Sequence, residues 1–127
     1  MLSATDRGRF PRTARLLRHA DFERVYKQGK RHFAGHLTVF YLRRETPGGP
    51  RIGFTVGRAL GGAVDRNRMK RRLREAVRMR YPGNDIAVDV VINPKKSLLK
   101  AEFSEVLNQI ERAFDVIRKS QKPVTGA

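Results

Sequence analysis

The stretch VDRNRMKRRLREAVRMR, Val64 to Arg80, decides how the rest of the chain is read. Eight of its side chains are cationic (Arg66, Arg68, Lys70, Arg71, Arg72, Arg74, Arg78 and Arg80), against Asp65 and Glu75 alone. At about 100° per residue, Met69, Leu73, Ala76 and Val77 share one face and can reach a core. Asn67, Arg71, Arg74 and Arg78 lie on the opposite face, with Arg68, Lys70 and Arg72 widening it. The spacing therefore predicts an amphipathic helix, buried on one side and cationic on the other. Like charges at i,i+4 repel by ~0.2–0.5 kcal/mol per pair, a cost that makes sense where an anion usually occupies the stripe.

Working outward, the glycines of GRALGGAV lead into this helix, and Pro82 disfavours helix at Tyr81. Upstream, Arg51 to Val56 alternates Ile52, Phe54 and Val56 as a strand, ETPGGP is a turn, and His32 to Leu42 reads as extended. The expectation is that these two strands pair as a hairpin. Before them, a helical pattern starts at Thr13, runs through Leu16, Leu17, Phe22, Val25 and Tyr26, and stops at Gly29; Asp21 could cap a shorter version. Downstream, Asp85 to Ile92 alternates as a third strand, and Ser97 to Lys119 carries a continuous apolar stripe from Leu99 to Ile117. The order is α-β-β-α-β-α, with the first strand region open to being split in two. This is an α+β, single-domain α-β sandwich on a mostly antiparallel sheet. Residues 1–12 read as a flexible basic segment, 13–119 as one domain and 120–127 as a flexible tail.

The chain has 127 residues, a formal net charge of +16 and no cysteine. A charge that large favours a polyanionic partner, with nucleic acid ahead of an anionic membrane surface. The lack of cysteine excludes disulfides, thiolate zinc sites and cysteine nucleophiles. No apolar run is long enough for a signal peptide or membrane span, so a soluble cytoplasmic protein is expected. The last helix mixes both charge signs, which leaves the excess in the N-terminal segment and the central helix. Arginine outnumbers lysine in that helix, and guanidinium binds phosphate in a bidentate fork and stacks on bases. The helix N-terminus adds its own attraction for phosphate.

AVDRNRMKRRLRE resembles the signature of the bacterial ribonuclease P protein subunit: Arg66-Asn67-Arg68, then Lys70-Arg71, then Arg74-Glu75. The resemblance extends over about residues 15–115, taking in DFERVYKQGKR, RIGFTVGRALGGAV and VDVVINPKKS. It implies a protein that is not itself the catalyst. Such a subunit binds a catalytic RNA, one protein per RNA, and the 5′ leader of precursor tRNA. The RNA, with magnesium that it mainly holds itself, removes that leader. Carried over by residue, Arg58, Arg66, Asn67, Arg68, Lys70, Arg71 and Arg74 would contact the catalytic RNA, with Asn67 also a candidate metal contact. Phe22, Tyr26 and Phe40 would stack leader bases, each worth ~1–3 kcal/mol without demanding a sequence. No small-molecule cofactor and no membrane is implied. The family also implies a left-handed crossover around the central helix, where general rules favour the right-handed form. Gly57-Arg58-Ala59 stands where the family often has Ser-Lys-Lys, so one positive charge is missing.

By spacing alone, Phe22 and Tyr26 are ordinary core residues, and adjacent Phe40 and Tyr41 must face opposite sides of their strand. Asn67 alone could be a helix-start residue. The main alternative is a ribosomal or other structural RNA-binding protein, which explains charge and length but has no special use for aromatics facing a groove. A protein nuclease could place magnesium on Asp85 and Asp89, although two aspartates on a strand more often make a solvated face. His19, His32 and His36 have no zinc-ligand spacing.

Overall fold

The computed structural model describes residues 18–46, 48–81 and 86–121. Helix α1 spans His19–Gln28, strands β1, β2 and β3 span Lys30–Phe33, Leu37–Arg43 and Arg51–Phe54, and helix α2 spans Ala63–Arg80. Strand β4, Val88–Pro94, and helix α3, Phe103–Gln121, complete the order. Short 3-10 turns at Arg58–Leu60 and Lys96–Leu99 precede α2 and α3. Thr13 to Leu17, the flexible segment expected at 1–12 and residues 122–127 lie outside the described residues.

The sheet order is β1-β2-β4-β3. β1 pairs with β2 and β2 with β4, both antiparallel, whereas β3 runs parallel to β4. The extended stretch from His32 is thus two strands, turned at Ala34–His36. The hairpin expected between it and Arg51–Val56 does not form. β4, later in sequence, inserts between them, and it is buried on both sides. Val88, Val90 and Ile92 point into the main core, and Asp89 and Val91 are buried on the other face. A strand covered on both faces belongs in the sheet's interior.

The main core lies between one face of the sheet (Leu37, Val39, Tyr41, Ile52, Val88, Val90, Ile92) and the apolar sides of α2 and α3. Met69, Leu73, Ala76 and Val77 are fully buried there, as the 3.6-residue period requires. A smaller cluster on the opposite face joins Val25 of α1 to Val91, with Phe22, Phe40 and Leu42 packed around it. So the sheet has α1 on one side and α2 with α3 on the other.

Gly29 explains how closely α1 can approach. A Cβ there would lie 2.5 Å from both the Tyr41 and Val25 carbonyl oxygens. Only glycine lets the helix end touch the β2 backbone. Asp21 is not the helix cap: that position is Arg18, with no side-chain cap bond, and Asp21 is buried in the first turn. α3 also begins later than its apolar stripe suggests, since Lys96–Leu99 forms a 3-10 turn.

Candidate nucleic-acid interface

The cationic side chains of α2 fall into two groups. Arg72 turns away from solvent and donates to the carbonyls of Leu98, Leu99 (3.1 Å) and Ala101 (2.7 Å), which holds the turn before α3 against α2. Arg78 pairs with Glu75, its Nε donating at 3.1 Å, and Arg80 donates to Glu111 of α3 at 2.9 Å. The Arg78 hydrogen bond holds the Glu75 carboxyl below the usual carboxylate range, against a smaller opposing push from desolvation. Arg66 folds back so that Nε donates to the Gly61 carbonyl at 3.1 Å. Gly61 has φ of 138°, a conformation that glycine adopts without strain.

The second group is free. Among the described residues, no hydrogen bond or ion pair engages the side chains of Arg68, Lys70, Arg71 or Arg74, nor those of the neutral Asn67 on the same helix and of Arg58 in the 3-10 turn before it. All but Lys70, which is half-buried, are exposed. Of the flanking residues read as part of the stripe, Arg72 is therefore structural, which the helical wheel could not show because its acceptors lie on a distant loop.

The α1 face of the sheet carries the aromatic residues. Phe40 lies on this face, half-buried, and Tyr41 on the core face with 7% exposure. Tyr26, 37% exposed, meets Phe40 edge to face with ring centroids 4.8 Å apart and planes at 90°. Its hydroxyl donates to Asn93 Oδ1 at 3.0 Å and lies 2.7 Å from Thr55 Oγ1. Phe22 packs beside them, half-buried. Thr55 and Asn93 were not singled out from sequence; the available signal was that Asn93 shares the strand face of Asp89 and Val91.

The other end of α1 is fastened by charge. Asp89, without solvent exposure, receives both Nε and Nη2 of Arg51 at 2.8 Å, Nη1 of Arg44 at 3.2 Å and Nη2 of Arg24 at 3.2 Å. Arg24 also donates to Asp21 at 2.8 Å, and Arg44 to the Gly49 carbonyl at 2.8 Å. Burial pushes the Asp89 carboxyl up, but Arg51 and Arg44 together outweigh it and hold the group below the ordinary range. Its hydrogen bond to Asp89 pushes Arg51 up in turn. Asp89 is thus neither on a solvated face nor free to ligate a metal. Asp85 lies outside the described residues. Among the described residues, no group of three or more His, Cys, Asp or Glu could hold a metal ion.

A family model described as Ribonuclease P matches residues 10–118. The ribonuclease P protein component of Symbiobacterium thermophilum is 39% identical over 102 residues, covering 80% of this chain and 88% of that protein. That of Acidothermus cellulolyticus is 35% identical over 103 residues, covering 80% and 86%. Among solved structures, the RNase P protein of Staphylococcus aureus aligns with a TM-score of 0.70 at 25% identity, over 81% of this chain and 94% of that one. The Thermotoga maritima protein aligns at 0.64 and 26% identity, over 77% and 96%.

Proposed function

The chain belongs to the bacterial ribonuclease P protein family, the non-catalytic subunit of the ribozyme endonuclease that processes the 5′ end of precursor tRNA, and from that premise we propose how its two surfaces divide the task. The outer face of α2, together with Arg58 in the 3-10 turn before it, binds the catalytic RNA through Arg58, Arg66, Asn67, Arg68, Lys70, Arg71 and Arg74. The aromatic cleft of Phe22, Tyr26 and Phe40 binds the single-stranded leader of the precursor. One observation carries this reading: the unpartnered cations of α2 and the half-open aromatics of α1 lie on opposite faces of one sheet. A single protein can therefore touch both RNAs at once.

The physics of the two contacts differs. Guanidinium groups aimed at phosphates displace counterions and offset the repulsion between two RNA molecules. Stacking on aromatic rings tolerates any base, as suits a leader whose sequence varies among precursors. Magnesium binds through carboxylates and phosphate oxygens in an octahedral shell. Asn67 supplies only one neutral amide, so the residues do not fit a protein-held ion. The magnesium of the reaction belongs with the RNA. Among the described residues, no helix is long and apolar enough to cross a membrane, and the cytoplasm is the expected place of action, with one protein per catalytic RNA.

Equilibrium binding to the reconstituted ribonucleoprotein tests the division. Tyr26→Ala is expected to weaken precursor binding by roughly tenfold while leaving mature tRNA unchanged. Equal losses for both ligands would overturn the leader-cleft assignment. The protein without RNA is expected not to cleave precursor in magnesium.

A further inference from the structure

The aromatic surface does not end at Phe40. In the β1–β2 ladder, Arg31 lies opposite Phe40 and Phe33 opposite Thr38. Residues directly opposite share a face, so Arg31 and Phe33 point to the same side of the sheet as the Tyr26–Phe40 pair. Phe33 is 66% exposed. The Arg31 guanidinium sits over its ring, 5.6 Å from the centroid. α1 packs mainly on β2 and β4, which leaves this edge of the sheet open.

We propose that Phe33 and Arg31 form a second stacking station, which takes an unpaired leader base upstream of those held at Tyr26 and Phe40. This rests on the leader-cleft reading above. Phe40 and Phe33 are diagonal neighbours across two antiparallel strands, a separation of about 7–8 Å. That is about twice the 3.4 Å rise of one nucleotide in a stacked strand. A stacked leader crossing the sheet could thus place bases two nucleotides apart on the two rings, with the Arg31 guanidinium facing a phosphate or the free side of a base.

The direction follows from the topology. Tyr26 touches Thr55, just past β3, and Asn93 of β4, at the end of the sheet from which the chain leads through the 3-10 turn at Arg58–Leu60 into α2. β1 is the opposite edge of the sheet. A leader that leaves the catalytic RNA beside α2 meets Tyr26 and Phe40 first and reaches Phe33 last. Phe33 is therefore assigned to nucleotides farther from the cleavage point.

The experiment uses the reconstituted ribonucleoprotein and precursors whose leaders are shortened one nucleotide at a time. For the wild-type protein, affinity should rise in two stages as the leader lengthens. Phe33→Ala should abolish the later stage, a loss of roughly fivefold or more, and leave short leaders unaffected. Phe33→Trp should retain it. If Phe33→Ala leaves the whole series unchanged while Tyr26→Ala lowers it, the second station is wrong and the cleft reading stands. If neither substitution changes leader-dependent affinity, the cleft reading itself fails. A loss that extends equally to leaderless tRNA would also overturn the station, since stacking of an upstream base cannot produce it.

Discussion

Replacing Asp89 by asparagine preserves the size of the side chain and removes the one charge around which Arg24, Arg44 and Arg51 converge. Removing one partner of a buried ion pair typically costs ~3–5 kcal/mol, because the remaining charge is left uncompensated. The surroundings set the position within that range. Side-chain exposure is 10% for Arg44, 31% for Arg51 and 42% for Arg24, so two of the three can turn partly to water, and Arg44 keeps the carbonyls of Val88 and Gly49. The lower end, about 3 kcal/mol, is therefore expected. With an unfolding entropy of about 2.1 cal/mol/K per residue, that corresponds to a fall in Tm of roughly 11 °C for a chain of this size.

Acid titration gives an independent reading of the same carboxylate. The folded state holds the Asp89 carboxyl below its ordinary value, so its contribution is fully present above the unfolded pKa, about 3.9. It is lost as pH falls through the lower folded value. Asp89→Asn should accordingly show a shallower decline of Tm with acidification than the wild type below about pH 5. Thermal melts followed by circular dichroism across that range measure both effects. A variant that melts within about 4 °C of wild type and keeps the same acid slope would refute the reasoning that this cluster fastens α1 and β3 to β4.

Other substitutions separate anchoring from folding. Arg71→Ala should reduce the log–log salt dependence of catalytic-RNA binding by up to ~0.9 for one duplex phosphate contact, with little change in stability. Arg72→Ala should do the reverse: it frees the carbonyls of Leu98, Leu99 and Ala101 and costs ~1–3 kcal/mol in denaturant titration at an unchanged salt slope. Gly29→Ala pushes a methyl against two backbone carbonyl oxygens at 2.5 Å, and a loss of ~1–3 kcal/mol is expected in the same titration. Tyr26→Phe keeps the edge-to-face ring but removes the hydroxyl bound to Asn93. It should cost about 1 kcal/mol of stability and less leader affinity than Tyr26→Ala.

What was legible in the sequence follows from which signals are local. The buried seam of α2 is visible because Met69, Leu73, Ala76 and Val77 repeat with the helical period, whatever they pack against. Strand pairing is not local: Arg51–Phe54 looks like the natural partner of the strand before it until the more apolar Val88–Pro94 displaces it. Phe40 and Tyr41 could not be told apart because both faces of β2 are apolar, Leu37, Val39 and Tyr41 on one, Phe40 and Leu42 on the other. Asp89 was misread for a related reason. Alternation places it opposite the main core, which usually means solvent, and nothing nearby in sequence reveals that α1 covers that face with Asp21 and Arg24.

Arginine's two roles in this chain are decided by the supply of acceptors. The sequence has 28 basic and 12 acidic side chains, so most cations cannot find a carboxylate partner. The fold places its acidic groups and spare carbonyls where elements must be joined. Asp89 and Asp21 draw α1 and β3 onto β4, Glu111 ties α3 to Arg80, and the carbonyls before α3 hold Arg72. On the outer face of α2 one carboxylate, Glu75, is taken by Arg78, and the other cations of that face receive none. Arg68, Lys70, Arg71 and Arg74 therefore keep their charge unpaired in the isolated protein, and their mutual repulsion favours the binding of a polyanion. On the proposed division, stability and RNA affinity rest on different arginines, so Arg71→Ala and Arg72→Ala, one residue apart, should separate the two properties.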